Sequence, residues 1–418
     1  MDLKECMDRE ERRDYFRALV LRCIDGSVEL DDDNIRELIE QVIREECRKE
    51  GFLSVEERRQ AKKDVFDSLR RLDVLQDFIE DGSITEIMVN GPKEIFYERE
   101  GRLYRSDRHF RDQRRLEDVI QKIASGVNRV VNEANPIVDA RLNDGSRVNV
   151  VLPPVSLSGP VLTIRKFPES RITMEKLIEM GSITEEAAEY LKVLVRAGYN
   201  IFVSGGTGVG KTTFLNALSD YIPATERIIT IEDSAELQIS NIPNIVRLEM
   251  RNANMEGNHA VTIRDLIKTS LRMRPNRIVV GEVRDAASID MISSLNTGHF
   301  GMSSGHANSP MDMLARLETM VLLGEEIPLL AVRKQIASAI DIIIQLSRFR
   351  DKSRRVAEIV EVTACVEGEI VLNPLFRFME EGEDADGRII GQLHYLGNRL
   401  QRRGKLLAAG ETEWIESI

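Results

Sequence analysis

The sequence predicts an α/β protein: a large domain on a parallel central sheet, preceded by an α+β domain and an N-terminal helical bundle. Three observations carry this. From about residue 169, apolar strands such as "YNIFVSG", "RIITIED", "IVRLE" and "RIVVGE" lead into loops and then mostly helices, the alternation of parallel strands with crossover helices. Between 73 and 168 the runs are short and turn on glycine, as hairpins do. Before residue 72, apolar residues recur at helical spacing.

At 418 residues the chain is long enough for all three units. A hydrophobic share of 42% beside 31% charged residues is that of a soluble globular protein. No apolar run approaches the roughly 18 residues that a spanning helix requires, and "AIDIIIQL" is soon broken by charge. The start "MDLKECMDREERRDYF" is too charged for a secretory signal, so a cytoplasmic protein is expected. A net charge of −12 argues against a nucleic-acid-coating surface, and no nucleic-acid partner is expected. Cys6, Cys23, Cys47 and Cys365 are scattered without a C-x-x-C pair, which excludes a zinc ribbon and points to reduced, buried thiols.

In residues 1–72, "DDDNIRELIEQVIREECRKEG" puts Ile35, Leu38, Ile39, Val42 and Ile43 on one stripe, with Gly51 to stop the helix. "LSVEERRQAKKDVFDSLRRLD" opens with Ser54 and Glu57 in capping-box spacing and faces Val65, Phe66, Leu69 and Leu72 one way. Such helices bury little alone, so they read as a small bundle; a partner-binding helical module is the second reading. In residues 73–168, "ITEIMVNGP" is a strand, "EIFYEREGRLYRS" a hairpin turning at Glu100-Gly101, and Leu116 to Ala124 an amphipathic helix. "VDARLNDGSRVNVVLPP" is a second hairpin and "PVLTIRKF" one more strand. In residues 169–418 the alternating pattern ends in terminal strands, "VAEIVEVTACVEGEIVLNPLF", then an acidic loop, "MEEGEDADG", and a weakly patterned tail.

The strongest chemical signal is "NIFVSGGTGVGKTTFLNAL". A strand, then Gly205-Gly206-Thr207-Gly208-Val209-Gly210-Lys211-Thr212-Thr213, then a helix fits G-x-x-x-x-G-K-[ST] in its required context. Glycines let backbone N–H groups turn onto a phosphate, Lys211 neutralises the β/γ-phosphates, and the Thr212 hydroxyl suits Mg²⁺. A glycine-rich turn that binds nothing is the bland alternative; the complete motif speaks against it.

A phosphate loop needs a carboxylate on a neighbouring strand, and "RPNRIVVGEVRD" ends in Gly281-Glu282. Gly281 occupies the place of the usual metal-side Asp. Glu282 is then the group to orient or deprotonate an attacking water. "RIITIEDSAEL" adds Glu232, Asp233 and Glu236 at another strand end, where one carboxylate could hold a metal-bound water; a helix N-cap is the other role for Asp233. In "NTGHFGMSSGHANSP", His299 and His306 have no third imidazole or cysteine pair nearby, which disfavours a metal pair. His306 at a strand end can donate towards a γ-phosphate or Glu282, or else pins its loop; for His299, positioning the loop and a functional role both stay open.

The order of these motifs resembles the type II/type IV secretion ATPase family, whose Asp box, atypical Walker B and His box they match. "ITEIMVNGP", "RLNDGSRVN", "TIRKF" and "LRMRPNRIVVGEVR" look like its CpaF/TadA branch, which assembles Tad/Flp-type pili. The resemblance implies a RecA-like C-terminal ATPase domain, a mobile PAS-like lid at 73–168, and Mg²⁺ and ATP held between them. It also implies a homo-hexamer working at the cytoplasmic face of the inner membrane through platform proteins. Residue by residue, Glu282 becomes the catalytic glutamate, Glu232 the Asp-box carboxylate on the metal side with Thr212, and His306 the His-box histidine. The alternative within the superfamily is a type IV secretion traffic ATPase. A nucleic-acid translocase and a nucleotide-binding scaffold that does not hydrolyse are the readings from other classes.

An arginine finger can contribute about 10³- to 10⁵-fold in rate. Arg141 and Arg147 flank the turn of "ARLNDGSR", and Arg165 lies on the next strand. A three-residue loop, 143–145, pairs Arg141 with Arg147 on one face; a two-residue loop splits them. In the family such arginines approach the phosphates, which favours the first register. Arg272, Arg274 and Arg277 are alternatives from the ATPase domain.

Overall fold

A computed structural model of the protein describes residues 7–24, 31–50, 53–99, 101–127, 129–142, 144–167, 171–251 and 260–411. The chain divides into two compact units, Met1–Glu169 and Ser170–Ile418.

The first unit opens with helices α1 (Arg9–Cys23), α2 (Asp32–Glu50) and α3 (Val55–Arg70). The capping box at α3 is present: Glu57 N–H donates to Ser54 Oγ at 3.2 Å, and Ser54 N–H donates to the Glu57 carboxylate at 2.9 Å. Asp8 and Glu11 cap α1 the same way. Ile35, Ile39, Val42 and Ile43 of α2 share an apolar cluster with Phe16, Val20, Val65 and Phe66, so the expected stripe is the buried face. Gly51, the expected helix stop, lies outside the described residues. α4 (Leu75–Glu80) is too short for periodicity to reveal.

Strands β1 (Ile84–Asn90), β2 (Ile95–Arg99), β3 (Arg102–Arg105), β4 (Ile137–Arg141), β5 (Arg147–Val151) and β6 (Val161–Arg165) form an antiparallel sheet in the order β3-β2-β1-β6-β5-β4. Helix α5 (Gln113–Gly126) packs Leu116, Val119, Ile120 and Ile123 into the sheet's own core. That core is distinct from the helical one, and buried ion pairs stitch the two together. Asp73 takes Arg13 at 3.0 Å and Arg115 at 2.6 Å, with the Asp73 and Arg13 side chains almost fully enclosed.

The second unit begins with α6 (Met174–Glu179) and α7 (Glu185–Arg196). It continues as β7 (Ile201–Gly205), α8 (Lys211–Ser219), β8 (Ile228–Glu232), β9 (Ile245–Glu249), α9 (Ile263–Ser270), β10 (Arg277–Val280), α10 (Ala287–Asn296) and β11 (Phe300–Gly305). Then come α11 (Pro310–Gly324), α12 (Leu329–Ala339), β12 (Ile342–Arg348), β13 (Arg354–Val366), β14 (Glu369–Glu383), β15 (Ile389–Tyr395) and α13 (Gly404–Ala409). The sheet order is β15-β14-β13-β12-β7-β11-β10-β8-β9. The six strands from β12 to β9 are parallel, as expected, and β13 to β15 extend the sheet antiparallel. Every residue of β7, β8 and β10 is buried, because apolar clusters cover both faces.

Two expectations are corrected. The acidic stretch "MEEGEDADG" is mostly strand: β14 runs through Glu383, and the chain turns only at 384–387. Arg350 binds both Glu380 and Glu383, which cancels the repulsion that favours a loop. The described cysteines are free but not buried: Cys23 is exposed at the end of α1, and Cys47 and Cys365 are half-buried. Cys6 lies outside the described residues. Among the described residues no helix is long and apolar enough to cross a membrane.

Candidate phosphate-binding and catalytic site

Parallel pairing sends the C-terminal ends of β7, β11, β10 and β8 to one sheet edge, and the phosphate loop, Glu232, Glu282 and His306 gather there. The loop after β7 leaves the sheet at Gly205. A Cβ there would lie 2.7 Å from both the Leu346 carbonyl oxygen and Val209 Cγ2, so no larger residue fits. Gly210 holds φ at 93°, a left-handed conformation that favours glycine, and opens α8. No side chain caps this helix, so its first N–H groups and its dipole face the loop.

Lys211 is buried, and burial lowers its pKa below the ordinary lysine value. Its ammonium donates to the carbonyls of Gly205 (3.2 Å) and Gly206 (3.0 Å) and to His306 Nδ1 (3.1 Å). Thr212 and Thr213 are half-buried in the first turn of α8, Val209 is buried, and Thr207 and Gly208 are exposed at the loop tip.

Glu282 follows β10, and its backbone is pinned on both sides. Gly281 N–H donates to the Ile231 carbonyl at 2.9 Å, and Val283 N–H donates to the Ser304 carbonyl at 3.0 Å. Ser304 Oγ donates to the Gly281 carbonyl at 2.7 Å. Strand β11 lies between β7 and β10, so His306, the residue after it, falls between the phosphate loop and Glu282. His306 Nε2 is 3.0 Å from Glu282 Oε1. The ring N–H is not aimed at that oxygen, and Oε1 keeps no hydrogen-bond partner. Oε2 accepts from Arg284 Nη2 at 2.8 Å. Burial pushes the Glu282 pKa up, but Arg284, helped by His306 and Lys211, more than offsets it and holds the carboxyl below its ordinary value. Burial first, and then the Lys211 charge, lowers the His306 pKa and favours its neutral form.

Glu232, the last residue of β8, is 2% exposed. Its Oε1 accepts the N–H groups of Glu236 (2.8 Å) and Leu237 (2.9 Å); its buried Oε2 has no hydrogen-bond partner. Burial raises its pKa to about 7. A Cβ on Gly281 would come within 3.0 Å of Glu232 Cγ, so Glu232 fills the space that a side chain at 281 would use. Asp233 caps no helix. Its Oδ1 accepts Ser234 N–H at 2.9 Å, and its Oδ2 meets Arg284 Nη1 at 3.2 Å.

His299 precedes β11, at the opposite edge of the sheet from His306, and Nδ1 sits 3.3 Å from the Ser294 carbonyl at the end of α10. Arg272 and Arg274 also lie at that far edge, before β10, and Arg277 opens the strand there, buried against Glu226 at 2.9 Å. In the first unit, Arg141 pairs with Arg147 and Arg147 with Arg165 across β4, β5 and β6. Leu142 N–H donates to the Ser146 carbonyl at 2.8 Å, which is the three-residue-loop register that puts the arginines on one face.

Sequence reasoning missed Arg284 and Gln345, whose Nε2 donates to the Ala307 carbonyl at 3.2 Å beside His306. A cation two residues beyond Glu282 in "GEVRD" was the one available signal for Arg284.

Residues 69–378 match the family described as Type II/IV secretion system protein. Over 293 residues the chain is 36% identical to a putative conjugal transfer protein of Mycobacterium tuberculosis, covering 68% of this chain and 83% of that protein. Over 303 residues it is 33% identical to the type IV secretion system protein VirB11 of Brucella suis, covering 66% and 84%. Among solved structures, the pilus retraction motor PilT with bound ADP aligns with a TM-score of 0.51 over 83% of this chain and 89% of that one. At 18% identity this likeness concerns the fold.

Proposed function

The chain belongs to the Type II/IV secretion system protein family, and from that premise we propose that it is a Mg²⁺-dependent ATPase motor of a secretion machine. The observation that carries this is the line Lys211–His306–Glu282, at 3.1 and 3.0 Å, along the edge that also presents the phosphate loop.

The loop from Gly205 to Thr213 binds the phosphates of ATP through backbone N–H groups, and Lys211 neutralises their charge. The residues present fit a magnesium ion: the Thr212 hydroxyl and the unpartnered, buried Glu232 Oε2 are hard oxygen donors. Among the described residues no group of three or more His, Cys, Asp or Glu could hold a metal, so Thr212 and Glu232 are the residues that would hold the ion. When bound, it neutralises charge on the phosphates. Glu282 Oε1 accepts a proton from the attacking water, whose oxygen bonds to the γ-phosphorus as the bond to ADP breaks. His306 holds the space between Lys211 and Glu282 and carries the state of the phosphate to the base. Arg141, Arg147 and Arg165 of the first unit are paired on one face of its sheet, and by resemblance to the family they are our candidates for stabilising charge on the transferring group.

The working form in this reading is a homo-hexamer at the cytoplasmic face of the inner membrane, with nucleotide exchange opening and closing each subunit against platform proteins. The conjugal transfer and VirB11 relatives favour the type IV secretion traffic role, moving effectors or DNA-bearing cargo. Assembly of Tad/Flp-type pili is the second reading. What favours it is the helical segment preceding residue 69, almost all of it outside the family match.

Phosphate release by the purified chain, with and without Mg²⁺, tests the enzyme. Glu282→Gln should bind ATP and release no phosphate; normal turnover by that variant refutes the assignment. Deleting the gene and scoring pili against cargo transfer separates the two roles.

A further inference from the structure

We propose that Arg284 is a positioning residue for hydrolysis, tied in place by Asp233, and that it fixes which oxygen of Glu282 faces the reacting water. The inference rests on the ATPase reading above; it adds Arg284 and gives Asp233 a role other than the two its motif suggested.

The backbone on either side of Glu282 is held by hydrogen bonds to Ile231 and Ser304. The freedom left is in the side chain, whose two oxygens are chemically alike. Arg284 Nη2 binds Oε2 at 2.8 Å, while Oε1, 3.0 Å from the His306 ring, has no hydrogen bond. One oxygen is therefore occupied, and the other, buried beside the His306 ring, is the one left to accept a hydrogen bond. The planar guanidinium can do this because its second nitrogen, Nη1, meets Asp233 Oδ2 at 3.2 Å, beyond the end of the adjacent strand β8. Asp233 is itself held, Oδ1 accepting the Ser234 N–H at 2.9 Å. Left alone, an arginine side chain 57% exposed would sample many rotamers; bridging two strand ends removes that freedom. The run Ser234–Asp233–Arg284–Glu282 thus carries the geometry of the β8 end to the base on β10. An exposed ion pair of this kind adds little to stability. Its effect should therefore appear in the chemical step.

The test is a mutant cycle in the full-length protein, with steady-state phosphate release, affinity for a fluorescent ATP analogue and thermal unfolding measured on each variant. Arg284→Ala should lower kcat about 10- to 100-fold, since misplacing a reacting group by about 1 Å costs on that order. KM and nucleotide affinity should stay within about twofold of wild type, as for loss of an interaction made only in the transition state. Arg284→Lys should recover part of the rate, because an ammonium reaches Glu282 but cannot bridge both carboxylates. Asp233→Ala should be slower than wild type, and adding it to Arg284→Ala should cost nothing more. Losses that multiply in the double variant, or a loss confined to KM and affinity, overturn the inference. Wild-type turnover by Arg284→Ala beside an inactive Glu282→Gln overturns it and leaves the ATPase reading standing. A wild-type protein that releases no phosphate removes both.

Discussion

Lys211 Nζ and His306 Nδ1 lie 3.1 Å apart, and that contact fixes the histidine's tautomer. An ammonium can only donate, so Nδ1 accepts and the ring proton sits on Nε2, the nitrogen 3.0 Å from Glu282 Oε1. The imidazole is thereby a polarised spacer between a phosphate-binding cation and the base. His306→Ala should keep nucleotide affinity, since Lys211 and the loop backbone remain, and lose hydrolysis by about 10²-fold or more. Equal phosphate release by the variant and the wild type would contradict this. A nitrogen-resolved NMR spectrum should also show His306 protonated at Nε2 at pH 8.

The pH dependence follows from the same cluster. Glu282 works as a carboxylate, and its pKa is held below the ordinary value; His306 works neutral, and its pKa is lowered from 6.5. Both shifts keep the working forms populated as the solution is acidified. Neither group should therefore limit hydrolysis from about pH 8 to about pH 6.5; His306 and then Glu282 take up protons only on further acidification. A fall near pH 7 would belong to Glu232, whose pKa burial raises to about 7. Removing the Arg284 charge raises the Glu282 pKa, so the acid limb of Arg284→Ala should lie at higher pH than that of the wild type. A limb that moves the other way, or not at all, would show that Arg284 does not set the state of the base.

Gly281 departs from the usual metal-side Asp for a steric reason that can be tested. Its neighbour Glu232 is buried, and a Cβ at 281 would sit 3.0 Å from Glu232 Cγ. Gly281→Ala should lower stability by about 1–3 kcal/mol through overpacking. Truncating the neighbour makes room, so Gly281→Ala with Glu232→Ala should lose less than the two single losses added together. Additive losses in thermal melts would mean that the two positions do not compete for the same space.

Much of the site is legible in local sequence because its residues end apolar strands: Lys211 after β7, Glu282 after β10, His306 after β11, Glu232 closing β8. What strand endings do not reveal is which strands are neighbours. Arg284 reaches Asp233 only because β8 and β10 are adjacent, and Gln345 reaches Ala307 only because the apolar run "AIDIIIQL" becomes β12 beside β7. The hairpin register of Arg141 and Arg147 turns on one backbone hydrogen bond, Leu142 to Ser146, which two equally plausible loop lengths leave open. The acidic run before residue 387 reads as a solvated loop until Arg350, some 30 residues earlier, is seen to bind Glu380 and Glu383.

A last prediction concerns the first unit, away from the chemistry. Asp67 is 3% exposed on α3, and burial raises its pKa from 3.8 to about 6 against the opposing charge of Arg71. The folded state therefore holds the Asp67 proton more tightly than the unfolded chain does. Its contribution to stability is fully present below about pH 3.8 and is lost as pH rises through about 6. At 1.36 kcal/mol per pKa unit, ionising it costs about 3 kcal/mol by pH 7. Asp67→Asn keeps the shape and removes the charge, so it should raise the unfolding midpoint of this unit at pH 7 to 8 and change little at pH 4. Thermal unfolding of the full chain across that range reads this directly. If the variant keeps the wild-type slope between pH 4 and 6, that slope belongs to another buried carboxylate.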